Sequence, residues 1–357
     1  MRKKLFIDIR NQALLAANKY NATTKPRLDT ERIANQSGYQ SMIFYTYSVF
    51  IDEHSSFSKK VFERIFWFIE KIRLAISLSR LLWLHDDILF FQYPFLNAIL
   101  KRYLKLLKKH HCKLVFLFHD IDSFRSESVK DMDVFQVVNV AILHTDNMRE
   151  ELSKTGIILP SVILHFFDYL SDCKRSTLVD TKQIQIIFAG SFLKSTFVQY
   201  LDSVKCPAGM VFYLYGKRTP LVHESETVIY KGVFDSEEID GIEGTWSLVW
   251  DGPSISTCEG LFGHYLKFNA PFKFSLSLAM GRPVIVWGES ALAKYVRDYH
   301  LGICVSSLND IYSTISKLTE SQIEDISLGV STYSMRVKSG LMLKDALLHA
   351  EKLLDAS

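Results

Sequence analysis

Apolar and polar positions alternate along the first half of the chain in two rhythms. Short apolar runs at residues 4–9, 42–47, 87–91, 113–118, 140–143 and 162–166 carry the branched and aromatic side chains that suit strands. Between them lie amphipathic runs at 27–37, 58–82, 96–109, 134–139 and 145–154. Strands separated by helical runs predict a parallel, doubly wound sheet, whose functional groups gather beyond the carboxyl ends of its strands. Residues 171–182 lack a periodic apolar pattern and read as a linker. The alternation then restarts at 184–188, 195–204, 210–214, 227–231, 247–250, 273–280, 284–287 and 291–297, and residues 306–318, 322–337 and 343–354 read as closing helices. The expected fold class is α/β, with two Rossmann-like domains facing a central cleft. An N-terminal domain spans 1–170, a C-terminal domain spans 183–335, and a last stretch, 336–357, packs back across the cleft.

Composition narrows the classes. At 357 residues, 48% hydrophobic and 23% charged, the chain is globular and larger than one core usually supports. A net charge of +3 offers no concentrated basic face, so nucleic acid is not an expected partner. The longest apolar runs fall far short of the ~20 residues that cross a bilayer. Near the N-terminus, Asp8 and Arg10 interrupt the apolar run that a signal peptide needs, and a cytoplasmic protein is expected. Five scattered cysteines (Cys112, Cys173, Cys206, Cys258, Cys304) form no C-x-x-C pair and read as reduced thiols.

Two segments mix basic and apolar residues. Lys101, Arg102, Lys105, Lys108 and Lys109 interleave with Tyr103, Leu104, Leu106 and Leu107, and Phe62, Ile65, Phe66, Trp67, Phe68 and Ile69 with Arg64, Lys71 and Arg73. Both suit a peripheral contact with an anionic inner leaflet, or the commoner case of an ordinary surface helix with one face on the core.

Candidate chemistry concentrates between Trp250 and Trp287. A strand ends in Asp251-Gly252, a polar loop carries Tyr265, Lys267 and Asn269, a helix opens after Pro271 with Lys273 in its first turn, and Gly281-Arg282-Pro283 turns into the next strand. A helix start beside a lysine is an anion site. Lys194, in the loop Gly190-Ser191-Phe192-Leu193-Lys194, offers a second cation. Upstream, Phe118-His119-Asp120-Ile121-Asp122 ends an apolar strand. Asp120 or His119 there can serve as a general base. Asp120 and Asp122 also form a D-x-D triplet of the kind that holds a metal, as do Asp131 and Asp133, and Asp120 can equally cap a helix. The base is the preferred reading, with no metal required.

Three patterns carry a resemblance: W-D-G-x-S from Trp250, Y-L-K-F-N-x-P-x-K from Tyr265, and P-V-x-x-W from Pro283. The segment resembles the bacterial β-1,6-galactofuranosyltransferase family of O-antigen and capsule clusters, and more distantly the glucosyltransferases that modify bacterial adhesins. The likeness extends to Lys25, Arg27 and Asp29, which look like the family's K-x-R-x-D element, to His119-Asp120-Ile121-Asp122, and to the Gly190-Ser191 loop. It is weakest over 48–83 and at the C-terminus.

The resemblance implies a GT-B fold and inverting hexosyl transfer, with galactofuranose from UDP-galactofuranose the expected sugar, or glucose or another hexopyranose in its place. The acceptor would be a polyprenyl-diphosphate-linked saccharide. A non-catalytic sugar-nucleotide binder assisting another transferase is the alternative of a different class. Donor contacts would be Gly190, Ser191, Lys194, Tyr215 near the base, Asp251, Gly252, Tyr265, Lys267, Asn269 and Lys273. Lys194 stands where the adhesin-modifying branch carries arginine. Lys25, Arg27, Asp29 and Asp122 would meet acceptor or phosphates from the opposite wall. No cofactor is expected beyond the UDP-sugar substrate, and a homo-oligomer is left open.

Overall fold

The computed structural model describes residues 2–11, 24–47, 57–94, 98–124 and 132–356. Its elements assemble into two parallel six-stranded sheets. The first contains β1 (Lys4–Asn11), β2 (Gln40–Thr46), β3 (Ile88–Tyr93), β4 (Lys113–Phe118), β5 (Val140–Leu143) and β6 (Ser161–Ile163), in the order β2-β1-β3-β4-β5-β6. Its connections include α1 (Lys25–Gln36), α2 (Phe57–Leu78), α3 (Ala98–Lys109), α4 (Met132–Phe135) and α5 (Asp146–Lys154). Every residue of β3 is buried, as expected of a strand covered by helices on both faces.

The second sheet runs β12-β11-β10-β7-β8-β9. Its strands are β7 (Ile184–Ala189), β8 (Met210–Tyr215), β9 (Val228–Gly232), β10 (Trp246–Val249), β11 (Val284–Trp287) and β12 (Gly302–Val305). Helices α6 (Gly260–Tyr265), α7 (Phe272–Ala279), α8 (Leu292–Asp298), α9 (Ile311–Ile315) and α10 (Glu320–Lys338) accompany it. Strand β12 and helix α6 were not expected: β12 has only four residues, and α6 lies inside a stretch that reads as polar loop. The run at 195–204 forms a 3-10 helix (Thr196–Ser203), and that at 306–318 breaks into Leu308–Asp310 and the short α9.

The last helix, α11 (Leu341–Asp355), lies on α1, β5 and β6 of the first sheet. Asp168 caps its start, accepting the N–H groups of Met342 (3.0 Å) and Leu343 (2.8 Å). Near its end, Glu351 takes Lys4 Nζ at 2.7 Å and Tyr39 Oη at 2.9 Å. The turn into α11 is made by Gly340 at φ 76°, where a Cβ would fall 2.7 Å from the Ile33 side chain, so only glycine fits without displacement.

Residues 171–182 form no regular element, yet they are laid against the C-terminal domain. Arg175 donates to the Ile242 carbonyl, Lys338 Nζ reaches the Cys173 carbonyl at 2.8 Å, and Trp246 Nε1 bonds the Asp180 carbonyl at 2.7 Å. One apolar cluster runs through both domains, joining Phe6, Ile33 and Phe90 to Ile187, Val249 and Phe274 by way of Phe166, Phe167 and Tyr169.

Candidate active site

The carboxyl ends of the two sheets meet. Ile121 N–H donates to Tyr265 Oη (3.0 Å), Thr145 Oγ1 to the Phe268 carbonyl (2.5 Å), Asn147 Nδ2 to the Lys267 carbonyl (2.9 Å), and Ala270 N–H to His144 Nδ1 (3.4 Å). The Tyr265–Ala270 loop, expected to be a donor surface, thus joins the domains. Tyr265 is buried by that contact, and Lys267 is paired with Glu289 at 3.0 Å with its ammonium over the Trp287 ring. Asn269 is buried, and its Oδ1 has no partner among the described residues; the same holds for His144 Nε2.

On the C-terminal wall, Lys273 and Asp251 form the centre. Lys273 Nζ lies 2.8 Å from Asp251 Oδ1 and 2.9 Å from the Trp250 carbonyl, 4.8 Å from the Phe188 ring centroid. Asp251 Oδ1 also accepts the fully buried Ser195 hydroxyl at 2.5 Å. Lys273 is therefore in an ion pair at rest, held at the first turn of α7, which Pro271 opens without a side-chain cap. Gly190 closes over the ammonium: a Cβ there would stand 3.8 Å from Nζ. At Gly252, φ is 101° and a Cβ would meet the Glu259 carbonyl oxygen at 2.3 Å, so the turn after Asp251 requires glycine.

Other expected donor residues are placed differently. The Ser191 carbonyl accepts the N–H groups of Lys194 and Ser195, both at 3.1 Å, in a tight turn. Lys194 lies exposed with its ammonium 5.4 Å from the Phe262 ring centroid. Tyr215 is buried at the end of β8, its hydroxyl accepting Glu243 N–H at 2.8 Å and its ring edge-on to Phe234, so it presents no open face to a base.

The N-terminal wall contains more than the motifs show. Asp8, buried in β1, pairs with Arg10 Nε at 3.0 Å and Arg27 at 3.4 Å. Arg27 also donates to the Pro94 carbonyl at 2.6 Å. Gln92 spends its amide hydrogens on Asp8 Oδ2 (3.4 Å) and the Arg27 carbonyl (3.3 Å), which turns its Oε1 to His119 Nε2 at 2.7 Å. His119 must then carry its proton on Nε2, leaving the Nδ1 lone pair unprotonated. Burial, with Arg27 and His144 nearby, holds this imidazole well below the ordinary histidine range. His119 stacks on Phe167 with centroids 5.0 Å apart, and His144 meets the same ring edge-on at 4.4 Å. Asp120 is half-buried within electrostatic range of Arg27, and Asp122 is exposed at the start of a 3-10 turn. Asp133 is exposed, and Asp131 lies outside the described residues.

Lys25 and Asp29, expected to face phosphates or acceptor, are locked together instead. Lys25 is 2% exposed. Its Nζ lies 3.1 Å from Asp29, 2.9 Å from the Leu170 carbonyl, 3.3 Å from Glu237 and 4.7 Å from the Tyr169 ring centroid. Asp29 accepts Leu170 N–H at 3.0 Å, and burial raises its carboxyl to about 6. This pair ties α1 to the interdomain crossing. Arg27, two residues from each, is the member of the element that reaches the Asp8 cluster. The positions that sequence reading missed, Asp8, Gln92 and His144, share one signal: a polar residue within or just after an otherwise apolar strand.

Two family models match the chain: the glucosyltransferase 3-like N-terminal domain over residues 10–166 and the glucosyltransferase 3-like C-terminal domain over 186–350. Among curated relatives, beta-1,6-galactofuranosyltransferase WbbI of Escherichia coli is 31% identical over 78% of this chain and 84% of its own length. Glucosyltransferase 3 of Streptococcus gordonii is 22% identical over 90% and 92%. Among solved structures, sucrose-phosphate synthase of Thermosynechococcus elongatus matches with a TM-score of 0.60 at 13% identity, over 99% of this chain and 100% of that one. The Escherichia coli trehalose-6-phosphate protein bound with UDP-2-fluoro glucose matches at 0.51 and 12%, over 99% and 98%. Paired parallel sheets joined at their carboxyl ends, with both domain models matched in order, place the chain in the glucosyltransferase 3-like family of GT-B glycosyltransferases.

Proposed function

We propose that the chain transfers galactofuranose from UDP-galactofuranose, with inversion, to a lipid-linked saccharide in the assembly of an O-antigen or capsular polysaccharide. The observation that carries this reading is the pair of half-sites at the joined carboxyl ends. Lys273 and Asp251 lie under Gly190 on one wall, and His119 and Asp120 follow the end of β4 on the other. The higher identity to the galactofuranosyltransferase than to the glucosyltransferase supports the choice of sugar.

In this scheme the acceptor hydroxyl oxygen forms a bond to C1 of the sugar while the C1–O bond to the diphosphate breaks, and UDP departs with the electron pair. Lys273 and the start of α7 meet the charge that grows on the diphosphate. Asp251 orients Lys273 and yields part of its hold as phosphate arrives. On the other wall, burial and Arg27 oppose a second proton on the His119 ring, so Asp120 accepts the hydrogen bond of the acceptor hydroxyl and receives its proton. The scheme uses no metal.

The test is UDP release from UDP-galactofuranose, UDP-galactopyranose and UDP-glucose, each with lipid-like glycoside acceptors, with and without chelator. Release from UDP-galactofuranose alone, undiminished by chelator, is expected. Release from UDP-glucose alone would replace the sugar with the one named in the more distant relative, and a chelator-sensitive reaction would remove the metal-free scheme. Asp120→Asn should lower turnover by about a hundredfold or more with UDP affinity unchanged.

A further inference from the structure

Helix α2 carries apolar residues on two sides. Its inner side sends Leu74 and Leu78 into the cluster of Ile7, Ile9, Phe44 and Leu89. Its outer side leaves Phe62, Ile65, Phe68, Ile69, Ile72 and Ile76 exposed, Phe68 by 65% and Ile76 by 67%. Steps of three and four residues align these positions, over a length of about 20 Å at 1.5 Å per residue. Trp83, 85% exposed, ends the 3-10 turn that follows. An apolar stripe this long is unusual on a free surface. Helix α3 contrasts with it: Leu100, Leu104 and Leu107 are buried, so its basic side is the solvated face of a core helix.

The borders of the stripe are cationic. Lys59, Arg64, Lys71 and Arg80 are exposed along it, whereas Glu63 is half-buried and Glu70 is taken by Arg73 at 2.6 Å. A second copy packed on this face about a twofold axis would set these cations against their own equivalents. An anionic lipid surface supplies the opposite charge and an apolar layer beneath it. The position of α2 adds a geometric reason. Glu70 accepts Tyr47 N–H at 2.9 Å, just past the end of β2. Since α2 runs antiparallel to β2, its turns before Glu70 overhang the carboxyl edge of the sheet, the edge that carries Arg10, Gln92 and His119.

We propose that the outer face of α2, with Trp83, docks peripherally on an anionic lipid surface and seats the N-terminal side of the cleft at the membrane. The proposal rests on the helix and its charges, not on which sugar is transferred. Among the described residues no helix is long and apolar enough to cross a membrane, so the contact is interfacial.

Co-sedimentation of the full chain with phosphatidylcholine vesicles, with and without phosphatidylglycerol, tests it. Binding is expected only with the anionic lipid. A Phe62→Ser, Phe68→Ser, Ile69→Ser variant should lose it, and an Arg64→Glu, Lys71→Glu variant should bind at least about tenfold more weakly. Circular dichroism melts and UDP affinity should match wild type in both, because these side chains face solvent. Wild-type protein left in the supernatant, or serine variants that bind undiminished, would overturn the proposal. So would a stable wild-type dimer in analytical ultracentrifugation that the serine variant abolishes, since the face would then belong to a second copy.

Discussion

Lys273→Met separates two roles that the resting structure superimposes. The ammonium is 2.8 Å from Asp251 Oδ1, and both side chains are largely shielded from solvent, at 13% and 14% exposure. At this distance, with an effective dielectric of about 20, the direct attraction is roughly 6 kcal/mol. Desolvation of both ions offsets much of that, but removing one partner strands the other, which costs about 3 kcal/mol even with the Ser195 hydroxyl still in place. In a domain of this size that loss lowers Tm by roughly 6–12 °C. Adding Asp251→Asn removes the stranded charge, so the double variant should regain about 2 kcal/mol in a double-mutant cycle. Turnover should behave otherwise. If Lys273 meets the departing diphosphate, its loss costs about a hundred- to a thousandfold in kcat, and the second substitution returns none of it. Differential scanning fluorimetry and a coupled UDP-release assay on the four proteins read the two quantities separately. Recovery of both stability and turnover in the double variant would show that Lys273 acts only as the partner of Asp251.

Lys25→Met should cost about 3–5 kcal/mol of stability by stranding the buried Asp29, with UDP affinity of the folded protein within about twofold of wild type; an unchanged Tm with weakened UDP binding would return Lys25 to the phosphate site. Gly190→Ala adds a methyl group in ordinary contact with Phe188, at 3.4 Å, and 3.8 Å from Lys273 Nζ. It should leave Tm within about 2 °C while weakening UDP about tenfold by calorimetry, and equal affinity would move the diphosphate elsewhere. Burial lifts Asp168 to about 7 and Asp29 to about 6, above the value near 3.9 of an unfolded aspartate, so the folded chain retains protons that the unfolded chain has released. Their contribution to stability is fully present below about pH 4 and is lost as pH rises through 6 and 7. The Tm of wild type minus that of Asp168→Asn should therefore fall by several degrees between about pH 5 and pH 8, and a constant difference would refute the assignment.

The alternation of sheet and helix was legible because parallel strands covered on both faces must be apolar throughout, as in Ile88–Tyr93, and because the connecting helices repeat apolar positions every three or four residues. Short elements were not. Gly302–Val305 has four residues, with Cys304 and Gly302 only half-buried, and it joins the sheet through β11, a pairing that no local pattern announces. The run 195–204 has the right spacing for a helix, but Ser195 is committed to Asp251 and the segment tightens into 3-10 turns.

The two walls of the site differ in legibility for a related reason. The C-terminal wall is continuous in sequence: Trp250, Asp251 and Lys273 sit within one strand–loop–helix unit, so residue types and spacing group them before any tertiary contact is known. The N-terminal wall is assembled from the ends of β1, β3 and β4 and the first turn of α1, and its members Asp8, Gln92, His119 and Arg27 meet only when four segments are packed together. The K-x-R-x-D element shows how spacing alone misleads there. Lys25 and Asp29 are four apart and close on one another at the crossing between domains, whereas Arg27, two residues from each, emerges on the other side of the helix toward Asp8. Helical periodicity therefore divides one charged motif between a structural pair and a cleft residue. In the N-terminal wall, the residue set is a property of the packed sheet edge and not of any one segment.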